Sequence, residues 1–146
     1  MAILGRSLRM LCARPFYISP LGMIGFSAGG GPIRAAMEGE PAMRPNFAIL
    51  IYAAGRANQT VTVPEGAPPL FLAVSADDTE YEASVKTFMA WRAAKIPVEL
   101  HIFQMGAHGF VNKGGGADHF MDRVAEWMKI NGFLALERAE SSARRD

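Results

Sequence analysis

Three kinds of side chain in this sequence have the type and setting to do nucleophilic chemistry. They are the serine of Gly25-Phe26-Ser27-Ala28-Gly29, the aspartates Asp77 and Asp78, and the histidine of Gly106-Ala107-His108-Gly109-Phe110. A serine hydroxyl is a weak nucleophile until a base takes its proton, and an imidazole base needs an acid to fix its tautomer. G-x-S-x-G between an apolar run and a helical pattern describes a turn so sharp that side chains at the flanking positions would clash. Such a turn lifts the Ser27 hydroxyl clear of the sheet and aims the start of a helix at it. The helix start and the Ala28 N–H can then stabilise an oxyanion. The bland alternative is a glycine-rich turn with a spectator serine.

Position separates the three histidines. His101 lies within a strand pattern beside Glu99, which suits a packed or hydrogen-bonded strand residue. His119 falls in the first turn of a helix and is expected to be solvated. His108 stands in a glycine-flanked loop just past a strand, where open α/β sheets bind their ligands. Asp77 and Asp78 follow the apolar run LFLAVSA directly and so occupy the same edge of the sheet. Asp77-x-x-Glu80 also fits a capping box for the helix that follows. One aspartate can cap while the other serves the histidine, and spacing alone leaves the assignment open.

The elements that must position these groups alternate. Helical spacing of Ile3, Leu4, Leu8 and Leu11 predicts a helix over 2–13. GMIGF at 22–26 reads as a short strand, 28–38 as a helix, and FAILIYA at 47–53 as a strand buried on both faces. The Gly- and Pro-bearing stretch 54–68 is a loop, LFLAVSA at 70–76 a strand, and 79–95 a helix with Tyr81, Val85, Phe88, Met89 and Arg92 on one face. VELHIF at 98–103 is the last strand. The helix over 117–131 turns Phe120, Val124, Trp127 and Met128 one way and stops at Gly132, and a short helix can follow into the polar tail. Strands alternating with helices predict a mostly parallel sheet of about four strands with helices on both faces.

At 146 residues, 50% of them hydrophobic and 20% charged, the chain suits one globular domain over 1–146. A net charge of +1 gives no electrostatic footprint for nucleic acid. The single cysteine, Cys12, can form no internal disulfide and reads as a small buried hydrophobe, and no Cys/His spacing suits a metal. The glycines at 114–116 lack the Lys-Ser/Thr of a phosphate loop. No apolar stretch reaches the ~20 residues of a membrane helix. The first residues, Arg-bearing and acid-free, have the composition of some transit peptides but lack a clear signal peptide, which favours the cytoplasm and leaves the compartment open.

GMIGFSAGG, APPLFLAVSADD and VELHIFQMGAHGF together resemble the dienelactone-hydrolase and acetyl-xylan-esterase-like branch of the α/β-hydrolases, over about residues 6–134. The resemblance implies Ser27 as nucleophile, His108 as base and Asp78 as acid, with Asp77 the alternative because Thr79 stands where the branch usually has proline. It implies an ester substrate with a small acyl group, no metal and no cofactor, in the chain order Ser, Asp, His. Peptidases share that elbow and order, so a peptidase-like hydrolase and a catalytically weak remnant stay open beside an esterase. Members of the branch also carry early strands and a His-Gly-Gly loop that donates a second oxyanion N–H, and no such loop occurs before Gly22 here. The expectation is therefore an α/β-hydrolase fold lacking its early strands. The elbow strand would then expose an edge, and exposed edges invite pairing between copies as a homo-oligomer.

Overall fold

The chain is described by a computed structural model over residues 20–53, 55, 58–114 and 116–134. The expected helices over 2–13 and in the polar tail lie outside these residues. Four strands, β1 (Gly22–Phe26), β2 (Phe47–Ile51), β3 (Leu70–Ser75) and β4 (Val98–Phe103), form one sheet in the order β1-β2-β3-β4. Every neighbouring pair is parallel, with Gly25 opposite Leu50, Leu50 opposite Leu72 and Leu72 opposite Leu100. Parallel pairing brings the carboxyl ends of all four strands to one edge. The α/β class, the four parallel strands and helices on both faces are as the sequence predicts.

Among the described residues three helices cover the sheet: α1 (Gly30–Glu38), α2 (Tyr81–Ala93) and α3 (Phe120–Ile130). Strand side chains alternate between faces, so β2 and β3 divide their apolar residues. Ala48, Leu50, Leu70 and Leu72 join Ile33 and Met37 of α1 and Ala83 and Trp91 of α2 in one core. Phe47, Ile49, Ile51, Phe71 and Ala73 join Phe110 and Phe120, Val124 and Trp127 of α3 in the other. The central strands β2 and β3 are buried on both faces, which explains their uninterrupted apolar sequence.

The face of α2 departs from expectation. Its buried stripe is Ala83, Ser84, Thr87 and Trp91, while Met89 is 50% exposed. Small residues let the helix lie close to the sheet, and two of its buried polar groups bond to backbone carbonyls. Thr87 Oγ1 donates to the Ala83 carbonyl at 2.8 Å, and Trp91 Nε1 to the Pro68 carbonyl at 3.0 Å. Size and apolarity alone chose the larger neighbours, because a satisfied hydroxyl is invisible to a hydrophobic pattern.

Two close approaches fix where α1 starts. A Cβ at Gly25 would stand 2.7 Å from the Gly29 carbonyl oxygen and from Ile33 Cδ1. A Cβ at Gly30 would overlap the Ala53 carbonyl oxygen just past β2. At Gly29, which the pentapeptide pattern singles out, a Cβ would meet nothing within 4 Å. The second glycine of the motif is thus sterically free, and its neighbour carries the constraint. Gly30→Ala should destabilise the fold by about 1–3 kcal/mol through overpacking, and Gly29→Ala should change stability by less than about 0.5 kcal/mol. Urea unfolding of the two variants checks this, and equal losses would contradict it.

Candidate active site

Each residue with candidate chemistry stands just beyond a strand, at the shared carboxyl edge. Ser27 follows β1 directly, with φ 49° in a left-handed conformation that only the sharp elbow explains. A short 3-10 turn over Ser27–Gly29 leads into α1. Asp77 and Asp78 lie in the turn after β3, and His108 in the loop after β4.

The structure brings Ser27, His108 and Asp78 into one line. Ser27 Oγ lies 2.7 Å from His108 Nε2, and His108 Nδ1 lies 3.1 and 3.2 Å from the two Asp78 carboxylate oxygens. A carboxylate only accepts, so these partners put the ring proton on Nδ1 and leave the Nε2 lone pair toward the serine hydroxyl. The Asp78 side chain is fully buried, while that of His108 is 45% exposed. Asp78 Oδ1 also accepts the Glu80 N–H at 2.9 Å. The Asp78 carboxylate is therefore held in a short Asx-type turn as well as by the histidine.

Asp77 takes a different place. Its Oδ1 accepts the Ala107 N–H at 2.8 Å and its Oδ2 the Gly106 N–H at 3.3 Å, on the backbone of the histidine loop. The bond from Ala107, with that from Gly106, holds its carboxyl below the usual aspartate value against an opposing effect of desolvation. The capping box expected from Asp77 to Glu80 does not form. The N-cap Glu80 makes no side-chain capping bond, and its carboxylate accepts the Gly55 N–H at 3.0 Å instead.

The other histidines sit where their patterns place them. His101 Nε2 meets Glu99 Oε1 at 2.7 Å and stacks on Phe71, with ring centroids 5.3 Å apart. His119 is 75% exposed, 3.6 Å from Asp122. Among the described residues no group of three His, Cys, Asp or Glu is placed to hold a metal, and no helix is long and apolar enough to cross a membrane.

Ser27 and His108 open onto a cleft of about 530 Å³ that is also lined by Ala28, Arg34, Tyr52 and Glu80. Sequence reasoning missed Tyr52 and Arg34. Tyr52 closes β2 with φ 41°, and its ring meets the His108 imidazole edge-on at 5.0 Å. Its position past a strand end was the available signal. The Arg34 guanidinium donates to the Ala53 carbonyl at 3.3 Å. Burial lowers its pKa, offset in part by Glu80 and Glu38.

No family model matches the chain, and no curated protein matches its sequence. Solved structures do match. An acetyl ester-xyloside bifunctional hydrolase from Caldicellulosiruptor lactoaceticus superposes with a TM-score of 0.75 at 22% identity, over 90% of this chain and 65% of that one. The alpha/beta hydrolase MGS-M1, from a Medee basin deep-sea metagenome library, superposes with a TM-score of 0.71 at 26% identity, over 87% of this chain and 62% of that one. The chain has the α/β-hydrolase fold. The carboxylesterase Cest-2923 from Lactobacillus plantarum WCFS1 shares it with a TM-score of 0.70 at 16% identity, over 92% of this chain and 69% of that one. The chain thus spans somewhat less than two thirds of the first two hydrolases.

Tyr52 yields a prediction at alkaline pH. Burial, and then the Asp78 charge, raise its phenol above the ordinary value. The folded state then keeps a proton that the unfolded chain loses near pH ~10. This contribution is complete below that pH and disappears as pH rises through the folded-state value. Between about pH 8.5 and 11 the thermal midpoint of the parent should fall more steeply with pH than that of Tyr52→Phe. A parent midpoint that falls no more steeply than the variant's would contradict the assignment.

Proposed function

We propose that this chain is a serine carboxylesterase acting on short-chain, acetyl-type esters through an acyl-enzyme on Ser27. The observation that carries it is the continuous line Ser27–His108–Asp78 at the mouth of an open cleft. The esterases among its structural neighbours support the same class.

The cycle follows from the hydrogen bonds. His108 Nε2 takes the Ser27 proton as Oγ attacks the ester carbonyl, and Asp78 stabilises the imidazolium that forms at Nδ1. The carbonyl electrons move onto oxygen, where the Ala28 N–H and the amino end of α1 can meet the developing charge. Collapse of this intermediate breaks the C–O bond, and His108 returns its proton to the departing alcohol. Water, activated by the same imidazole, then adds to the acyl-enzyme and releases the acid with Ser27 restored. The residues in hand complete the cycle without a cofactor. An open cleft fits small acyl groups on small alcohols or sugars.

Hydrolysis of a chromogenic acetate ester tests this proposal. Ser27→Ala should fall to the background of exposed surface nucleophiles, and Asp78→Asn should lose up to about 10⁴ in kcat, as triads with a mis-set tautomer do. Equal rates for Ser27→Ala and the parent would make the chain a catalytically inert relative of the hydrolases. Turnover of a matched peptide amide as fast as the ester would point to a peptidase.

We also propose that copies of the chain associate through the outer edge of β1. Among the described residues no strand pairs with that edge, and Ile24 and Phe26 beside it are 45% and 39% exposed. Sedimentation at micromolar concentration should give a mass above the monomer, and Ile24→Lys should lower it. A clean monomer for the parent would sink the proposal.

A further inference from the structure

We infer that Asp77 is a positioning residue whose carboxylate holds the backbone of the loop that carries His108. The two adjacent aspartates then divide one task, Asp78 orienting the ring and Asp77 the loop beneath it. The inference rests on the hydrolase proposal above and deepens it.

The loop after β4 has an unusual backbone. Gly106, Ala107 and Gly109 have φ of 148°, 52° and 79°, so Ala107 holds a conformation that an L-residue adopts only when its surroundings require it. Successive N–H groups in such a run converge into a concave nest that attracts an anion. Here the anion is the Asp77 side chain, which accepts the Ala107 N–H at 2.8 Å and the Gly106 N–H at 3.3 Å.

Residue 107 is held from both sides. Ser75 Oγ, at the end of β3, donates to the Ala107 carbonyl at 2.8 Å, opposite the N–H that Asp77 accepts. The turn after β3 therefore grips the residue before His108 at its donor and at its acceptor. Downstream, Lys113 Nζ donates to the His108 carbonyl at 2.8 Å. With its side chain 45% exposed, His108 owes its place to this backbone and to its bonds with Ser27 and Asp78 more than to packing.

Two other roles for Asp77 do not fit. It does not cap α2, whose first turn begins at Tyr81 and whose N-cap makes no side-chain capping bond. It is not the acid of the histidine, because both bonds to Nδ1 come from Asp78.

The test compares the parent with Asp77→Ala, Asp77→Asn and Ser27→Ala, using kcat and KM on the chromogenic acetate ester and hydrogen–deuterium exchange of the peptide over 104–110. Asp77→Ala removes both acceptors. It should lower kcat by about 10–100-fold, the scale of a small misplacement of a catalytic group. KM should stay within about twofold, because the cleft wall is untouched. Exchange should accelerate over 104–110 and stay unchanged in β2 and β3. Asp77→Asn keeps one oxygen for the Ala107 N–H but turns an N–H donor toward that of Gly106, so it should fall between the two. Parental kcat in Asp77→Ala, parental exchange over 104–110, or acceleration spread across the whole chain would each overturn the inference. If Ser27→Ala keeps the parental rate, the hydrolase proposal falls and the positioning role with it, while exchange over 104–110 still decides whether Asp77 holds the loop.

Discussion

Everything at the carboxyl edge of this sheet depends on holding Ser27 at φ 49°. For an L-residue a left-handed backbone costs roughly 1–2 kcal/mol. It persists because the elbow has nowhere else to go. Gly25 lets the Gly29 carbonyl and Ile33 approach from one side, and Gly30 lets α1 press against Ala53 beyond β2 on the other. Ile33 and Met37 then anchor the helix in the core beneath the sheet. The strain is local, and the packing that sustains it comes from two strands and a helix. This linkage lets a serine hydroxyl stand clear of the sheet and meet an imidazole carried 81 residues later in the chain.

The same edge solves a second problem, which is to orient a half-exposed imidazole. Half-exposed side chains drift unless their bonds specify them. Here the Asp78 carboxylate is buried and the His108 ring is not, so orientation flows outward from the turn after β3. That turn supplies Asp78 to the ring and Asp77 to the loop, Ser75 at the end of β3 holds the loop beside Asp77, and the Asx-type bond that Asp78 accepts from the Glu80 N–H ties the turn to α2. Among the described residues no buried side-chain nitrogen or oxygen lacks a partner. Such completeness suits a polar network in a low-dielectric setting, where one unmet group would cost more than the bond it replaces.

Much of this is legible in the sequence, for physical reasons. Continuous apolar runs at β2 and β3 reflect burial on both faces, and a glycine-bracketed serine between a strand and a helix signals a sharp turn with an exposed hydroxyl. The order of elements and the gathering of Ser27, Asp78 and His108 at one edge follow from parallel topology alone. What stays hidden depends on contacts between distant segments. The division between Asp77 and Asp78 turns on bonds across about thirty residues, to which a dipeptide gives no clue. Tyr52 and Arg34 enter the cleft through the path of the chain after β2 and the depth of α1. The buried stripe of α2 is small and partly hydroxylic, so an apolar periodicity favours Met89 in its place. Gly30 matters for its proximity to Ala53, a fact of three dimensions that the pentapeptide pattern assigns one residue too early.

The esterase proposal rests on Ser27 being an activated nucleophile. Reaction of the pure protein with a fluorophosphonate, followed by intact-mass and peptide mass spectrometry, tests it most directly, since a phosphonyl group stays where it lands. One adduct per chain is expected on Ser27, lost in His108→Ala although the serine remains. Modification spread over several hydroxyls, or an equal rate of labelling without His108, would contradict it.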